Sequence, residues 1–357
     1  MNVGAFYVSL MVMKKRIGKI IVAMSGGVDS STAAALLKGR GYDVVGVFMK
    51  FWKEPKAGRE NLCCSAQARL DAKRIAIKMG IPFYVLDVQK EFKKRVVDYL
   101  IDEYKKGRTP NPCVECNRWI KFRFLFEQLN RLGADYIATG HYARSKNGKL
   151  LVARDIKKDQ SYFLWTLKQN QLEQILFPIG NYTKERVRGM ARKFGLPVFK
   201  KRDSQEICFI PDADVRGFLK SRIRAENGPI ITTDGKKIGE HKGLVFYTIG
   251  QRKRIEIGGI GPFFVVKKDF KNNALIVSKS EKDLLQKEMT VKNMNWISSK
   301  PFNGKCGVKI RSMAKMVPAK IIKNKIIFNK PQRAITPGQS AVFYNGNEVL
   351  GGGIIKN

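Results

Sequence analysis

Histidine is nearly absent, with only His141 and His241 in 357 residues, so a metal centre built on imidazoles has almost no ligands to draw on. Cysteine is also sparse. Six thiols (Cys63, Cys64, Cys113, Cys116, Cys208 and Cys306) are too few for the disulfide scaffold of a secreted protein of this size, and fit a reducing compartment in which some of them react. Acidic residues number 30 against 68 lysines and arginines, and the formal net charge of +38 is spread along the chain rather than gathered in a tail. Such a field attracts a polyanion; a halo of solvated lysines would give the same count. Long apolar runs are missing too. Met1 to Met13 is apolar but too short to span a bilayer, and Lys14, Lys15 and Arg16 follow it where a signal peptide carries its charges ahead. A start at Met13 would leave a short basic segment directly before the first strand. A cytoplasmic protein with no membrane partner is therefore expected, with no fixed-period repeat and no low-complexity linker.

Apolar content of 44% and charged content of 27% describe an ordinary soluble chain, long enough for two or three domains. Its most informative stretch is Ala23 to Ser30, AMSGGVDS, between the apolar run Ile20 to Met24 and the helix-forming run Ser31 to Leu37. A strand, a glycine turn and a helix start aim several backbone N–H groups at one spot beside a positive dipole end, which suits phosphate or pyrophosphate. Gly26 and Gly27 permit close approach and positive φ, Ser25 and Ser30 add hydroxyl donors, and Asp29 can hold the Mg²⁺ of a nucleotide. The GK[ST] ending of the ordinary P-loop is missing, which excludes the usual lysine clamp on the phosphates. A nucleotide-activating loop in a chain this basic points the positive charge at nucleic acid.

Strand and helix signals alternate through the first part. Asp43 to Met49 reads as a second buried strand, Cys64 to Met79 as a helix stopped by Gly80 and Pro82, Phe83 to Val88 as a third strand and Phe92 to Tyr104 as an amphipathic helix. That alternation predicts a parallel sheet with crossover helices, binding nucleotide at the carboxyl ends of its strands. Met49 ends the second strand, either beside an adenine or simply as core. In Arg108 to Lys121, RTPNPCVECNRWIK, the prolines and asparagines predict a shaped loop carrying Cys113 and Cys116, with a helix from about Trp119 to Leu132. Alone, this C-x-x-C is compatible with half a zinc site, a redox pair or a single reactive thiol. Zinc needs two more ligands, which Cys63-Cys64 does not offer at the usual spacing. Tyr136 to Thr139 reads as another strand; Gly140 after it allows close approach to a ligand, and His141 suits positioning a ligand, chemistry or plain burial. Lys158 to Tyr162 reads as a surface turn, Asn181 to Pro197 as a helix capped by Thr183, and Cys208 as a core cysteine by its apolar surroundings. From about Gly228 short strands and glycine turns take over, including Leu244 to Ile249 and Phe263 to Lys267. Arg252, Lys253 and Arg254 form a phosphate-contact patch by composition. From about Met289 an all-β texture, with a hairpin turn at Tyr344 to Asn347, suggests a small barrel.

The segments SGGVDSS, CCS at Cys63 to Ser65, TPNPCVECN, TGHYAR, KDQSYFLW, FPIGNYTKERVR, DSQEICFIP, TIGQRK and ITPGQSAVFY run in the order found in bacterial tRNA-specific 2-thiouridylases. From about Lys19 the chain resembles that family, part of the PP-loop ATP pyrophosphatase superfamily, over nearly its whole length. The resemblance implies an α/β fold: an N-terminal extension (1–18), a parallel Rossmann-like PP-loop catalytic domain (19–216), a small β-rich central domain that binds tRNA (217–286) and a C-terminal β-barrel (287–357). It implies a sulfurtransferase that uses ATP and Mg²⁺ to adenylate the C2 oxygen of a tRNA wobble uridine, then installs sulfur from a cysteine persulfide to give 2-thiouridine, AMP and pyrophosphate.

By the same resemblance ATP would bind Ala23, Met24, Ser25, Gly26, Gly27, Val28, Asp29, Ser30, Met49 and Gly140. Cys116 would be the nucleophile and Cys208 the persulfide carrier, the two forming a transient disulfide. Asn111, Pro112 and Cys113 would meet the target base, and His141, Lys158, Asp159, Gln160, Arg311, Ser312 and Gln339 the tRNA. A persulfide donor protein, a cysteine desulfurase or a relay protein, is the implied partner, and a monomer is expected. Some relatives carry aspartate where this chain has Cys113, so no acid–base role carries over to it. Cys113 is also near enough to Cys116 in sequence to compete with Cys208 for the disulfide.

Overall fold

A computed structural model describes residues 17–54, 65–201, 207–210, 214–255, 257 and 262–356. Met1 to Met13, Cys63, Cys64 and Arg202 to Glu206 lie outside the described residues. In chain order the first part runs β1 (Lys19–Ala23), β2 (Asp43–Lys50), β3 (Phe83–Asp87), β4 (Tyr136–Ala138), a hairpin of β5 (Arg144–Lys146) and β6 (Lys149–Leu151), and β7 (Ile175–Leu176). Five of these strands make one all-parallel sheet in the order β3-β2-β1-β4-β7. The reason lies in strands such as KIIVA, apolar on both faces. Ile21 packs with Val47 and Met49 on one side while Ile20 and Val22 join Val44 and Phe48 on the other, so both faces need cover.

Helices supply that cover. α1 (Val28–Gly39) and α2 (Ala66–Lys78) lie on the Ile20 face, with α2 capped by the Ser65 hydroxyl accepting from Ala68 N at 3.0 Å. On the Ile21 face lie α3 (89–105) and α4 (112–131), each carrying a π-helical segment, Lys93–Val97 and Cys116–Phe122. α5 (Lys184–Lys193) returns to the first face, and α6 (Val215–Lys220) to the second. α4 departs from the sequence reading. It begins at Pro112 rather than near Trp119, because a proline at the first helical position has its φ pre-set and needs no N–H there. Cys113 and Cys116 therefore sit in the opening turns of a helix, not on a loop.

Four strands form a second, mixed sheet: β8 (Gly228–Thr232), β9 (Lys237–His241), β10 (Phe264–Asp269) and β11 (Ala274–Ser278), in the order β10-β11-β8-β9 around Ile230, Tyr247, Val265 and Leu275. Leu244 to Ile249 is not a strand. Gly243, at φ +109°, turns the chain, and Leu244–Phe246 closes a 3₁₀ turn instead. The remaining strands, β12 (Leu285–Trp296), β13 (Gly304–Lys309), β14 (Val317–Ile322), β15 (Lys325–Arg333), β16 (Ser340–Asn345) and β17 (Glu348–Ile355), form an antiparallel barrel closed by the β12–β17 pairing. The α/β, β-rich and barrel architecture is thus the one the sequence predicts.

One feature is not local. The β5–β6 hairpin pairs through β6 with β17 and extends the barrel sheet. Beneath it, Leu150, Tyr162 and Trp165 share a single core with Ile297, Val342, Tyr344 and Ile354. Tyr162 Oη donates to the Ser340 carbonyl at 2.8 Å and Trp165 Nε1 to Ser340 Oγ at 3.1 Å, so these buried aromatics satisfy their polar ends on the barrel. Among the described residues no helix is long and apolar enough to cross a membrane.

Candidate active site

In the order β3-β2-β1-β4-β7 the chain leaves β1 toward β2 on one side, while β4 flanks it on the other; a crevice opens past the carboxyl ends of such neighbours. Ala23 to Ser30 leaves β1 at this crevice and Thr139 to His141 leaves β4. Gly26 takes φ +68°, and a Cβ there would sit 2.2 Å from the Ala68 carbonyl oxygen, so only glycine fits. Gly27, expected to share that conformation, is extended at φ −99° and is the residue before α1. Ser25 N donates to Ser30 Oγ at 3.1 Å and the two hydroxyls lie 3.2 Å apart, which ties the loop into a ring. α1 starts with no side-chain cap, leaving its first N–H groups for a ligand. Gly140 completes the wall: a Cβ there would lie 2.6 Å from Ser30 N.

These elements surround a cavity of about 360 Å³. The loop lines it with Ala23, Met24, Ser25, Gly27, Val28, Asp29 and Ser30, and Met49 and Gly140 join them; Gly26 stands behind. Pro112, Cys113 and Cys116 enter from α4, and Cys208 from the turn at Ile207 to Ile210. Cys208 is half-buried, packed against the core on the Ile21 face while it lines the cavity. Met49 is both things at once, lining the cavity while packed in the core at 6% exposure.

Asp29, expected to hold Mg²⁺, holds something else. Lys184 Nζ lies 2.8 Å from each of its carboxylate oxygens and Tyr142 Oη donates to one of them at 2.9 Å. A divalent cation on that carboxylate would have to share it with the ammonium, whose charge already balances Asp29. Lys184 is the first residue of α5, where Thr183 Oγ1 accepts from Arg186 N at 3.3 Å and Asp155 accepts from Lys184 N at 2.9 Å. Lys201 also lines the cavity, donating to the Gly26 carbonyl at 3.0 Å and to Asp71 at 2.9 Å. Burial is the largest single influence on the Asp71 carboxyl and raises it, but the hydrogen bonds from Lys201 and Gln67 and the charges of Lys201 and Arg74 together outweigh it and leave it below its ordinary value.

His141 rests its ring on Phe122, 6.0 Å between centroids, with Nδ1 2.7 Å from Thr139 Oγ1 and Nε2 3.5 Å from Lys121 Nζ. Burial, with the Lys121 charge in addition, pushes its pKa well below the ordinary value. The ring is therefore neutral. Nε2 faces the Lys121 ammonium and Nδ1 the Thr139 hydroxyl, which can meet either tautomer of the neutral ring. His141 lines the cavity in that state, as a shaped neutral wall and not as an acid.

The comparisons agree over nearly the whole chain. A model described as the tRNA methyl transferase HUP domain matches residues 18–212, the tRNA methyl transferase PRC-barrel domain residues 216–279, and the aminomethyltransferase beta-barrel domain residues 286–355. The tRNA-specific 2-thiouridylase MnmA of Clostridioides difficile is 47% identical over 354 residues, covering 95% of this chain and 98% of that protein. The tRNA-specific 2-thiouridylase MnmA 1 of Caldanaerobacter subterraneus is 49% identical over 357 residues, with the same 95% and 98%. The chain belongs to the tRNA-specific 2-thiouridylase family. Likeness to solved structures is looser: a 4-thiouridine synthetase–RNA complex with bound ATP is 18% identical, with a TM-score of 0.35 over 57% of this chain and 50% of that one.

For a 2-thiouridylase, the residues expected to meet tRNA divide into two groups. Pro112, Cys113, His141, Lys158 and Gln160 line the cavity; Asn111, Asp159, Arg311, Ser312 and Gln339 do not. Asp159 shapes a turn, its carboxylate accepting from Ala153 N at 2.9 Å and Ser161 Oγ at 2.8 Å. Gln160 Oε1 accepts from Tyr142 N at 2.9 Å. Arg311 Nη2 donates to the Ala334 carbonyl at 2.6 Å, and Gln339 Nε2 to the Thr109 carbonyl at 2.8 Å. Sequence reasoning missed Lys121, Lys184 and Lys201. For Lys184 a signal existed: a lysine directly after the capping Thr183 faces the positive end of its helix dipole, a position that costs stability unless a function holds it there.

Proposed function

We propose that this 2-thiouridylase joins, in one cavity, ATP-dependent activation of a tRNA wobble uridine to delivery of sulfur from Cys208. The observation that carries this reading is the shared lining: the glycine loop after β1, Gly140, Cys116 and Cys208 all face the same 360 Å³ space. The uncapped start of α1, with Lys184 and Lys201, suits the phosphates of ATP, and Met49 the adenine. ATP supplies the adenylyl group that lets the C2 oxygen leave as AMP. No step is assigned to Mg²⁺, since the Lys184 charge already balances Asp29. A chain of net charge +38 holds the RNA, and the target base must leave its stack to enter the cavity, at a cost of about a few kcal/mol.

The sulfur step then balances on this chain's own thiols. The terminal sulfur of a Cys208 persulfide attacks C2, and the C–O bond breaks as AMP leaves with its electron pair. The Cys116 thiolate next attacks Cys208 Sγ, breaking the S–S bond; the uridine keeps the outer sulfur and a Cys116–Cys208 disulfide forms. A thiol reductant of the cytoplasm resets the pair, and a persulfide-bearing protein recharges Cys208. Cys113 lines the same cavity and competes for the disulfide.

Cys116→Ser and Cys208→Ser are each expected to abolish 2-thiouridine while leaving ATP and tRNA binding largely intact. Mass spectrometry of anticodon nucleosides, with pyrophosphate release measured in parallel, checks this. Full thiolation by either variant, or a methylated uridine as the product, overturns the reading.

A further inference from the structure

The segment between α3 and α4 carries the chain into Cys113 and Cys116, and all three modules meet on it. Its entry is held within the α/β unit: Arg108 grips Glu103 with two hydrogen bonds of 2.5 Å each. Thr109, the next residue, gives every polar group it has to another module. Its N–H donates to the Pro337 carbonyl at 2.9 Å, its carbonyl accepts from Gln339 Nε2 at 2.8 Å, and its hydroxyl lies 3.1 Å from that of Thr248. Gln339 Nε2 also reaches the Pro110 carbonyl at 3.4 Å. Two of these partners belong to the barrel and one to the β-rich module.

Packing repeats the pattern. A Cβ at Gly338 (φ +94°) would lie 2.9 Å from Thr109 N and O, and one at Gly107 would lie 2.2 Å from the Phe270 ring, so both backbones approach as glycine alone allows. A Cβ at Gly250 would come 2.5 Å from the Ala334 methyl, which puts the two β modules against each other beside the same loop. Behind Gln339 the barrel is stiff: its backbone pairs with Ile355, and Arg311 braces Ala334 and Thr336. Beyond Thr109 come buried Pro110 and Pro112, whose rings fix φ and remove play. Thr109 is thus tied through Pro110 and Pro112 to the start of α4, where Cys113 and Cys116 stand.

We propose that Gln339 and Thr248 are positioning residues for Cys116, acting through Thr109, so that seating RNA on the two β modules sets the thiol in the cavity. This rests on the sulfur-transfer reading above and goes beyond it. Gln339 works here through protein backbone, which differs from the direct tRNA contact that family resemblance implies for it.

The test uses the full chain with three substitutions. Gln339→Glu keeps size and loses the N–H donors; Thr248→Val removes the hydroxyl link; Thr248→Ser restores it. For Gln339→Glu and Thr248→Val, kcat for thiolation is expected to fall about tenfold, the cost of a modest misplacement of reacting groups, with tRNA Kd and KM unchanged. Thr248→Ser is expected to recover wild-type kcat. Without RNA, the alkylation rate of Cys116, mapped by peptide mass spectrometry, is expected to change severalfold in the first two variants and not in the third. A raised KM and Kd at unchanged kcat would mean that Gln339 simply touches RNA, and would overturn the proposal; so would unchanged kcat and alkylation in all three. If Gln339→Glu does not fold, the Thr248 pair decides alone. If the wild-type chain releases no pyrophosphate with tRNA, the sulfur-transfer reading fails, while the alkylation measurement still tests the link to Cys116.

Discussion

His141 has its ring between Thr139 and Lys121, and its neutrality makes stability depend on pH in one direction. Its folded pKa lies below the ordinary 6.5, so the unfolded chain takes up the proton first as pH falls. The contribution is fully present above about pH 6.5 and is lost as pH drops toward the folded value. His141→Gln removes this dependence. His241, also lowered chiefly by burial, remains in both proteins and cancels. Urea midpoints of wild type and variant, compared from about pH 7.5 down to about pH 5.5, are expected to converge or cross as the wild type loses its advantage; a constant difference rejects the assignment. At this scale the sequence was most readable where chemistry needs a residue type in a tight local pattern. Gly26 between Ser25 and Ser30 is such a case; the two thiols are not, since local pattern alone read Cys208 as core and left the C-x-x-C open. Lys121 and Lys201 were not readable, since a lysine among 68 lysines and arginines carries no mark until the fold brings it to a cavity.

Helix α5 shows how an element aims a side chain. Thr183 caps it, Lys184 follows at the first position, and the cap fixes the entry angle that sends the ammonium to Asp29. Thr183→Ala is expected to cost about 1 kcal/mol of stability, through loss of the bond to Arg186 N, and to weaken ATP binding as Lys184 loses its direction. Chemical denaturation and calorimetric titration with ATP check both halves; a stability loss with unchanged affinity would free Lys184 of any part in the site. The cap and the helix were legible from Asn181 to Pro197, because local capping chemistry decides them. The start of α4 was not: Pro110 and Pro112 look alike in sequence, and only the second stands where a helix accepts a proline. The π segment that begins at Cys116 leaves no periodic trace at all, yet such segments gather at functional sites.

For the whole molecule, alternation and turn spacing predicted three textures of structure, but not that the first and last share a core. Trp165 and Val342 are adjacent only in the fold, and no local period records a contact at that separation. A chain ending before Leu285 would leave Tyr162 and Trp165 without Ser340 and the β5–β6 hairpin without β17. Such a truncation is expected to aggregate, or to lose its near-ultraviolet circular dichroism, where a self-sufficient nucleotide domain would stay monomeric and ordered. Size-exclusion chromatography with the dichroism spectrum distinguishes the two.

The β6–β17 pairing also bears on how the protein is made. Leu150 and Leu151 leave the ribosome long before Glu348 and Val349 exist to pair with them. Until then the nascent chain carries an open strand edge and bare aromatic rings, while every module it has already synthesised is strongly cationic in a crowd of ribosomal RNA. Chaperone capture during translation follows from that interval, and should shorten if the two partners were brought closer in sequence by circular permutation.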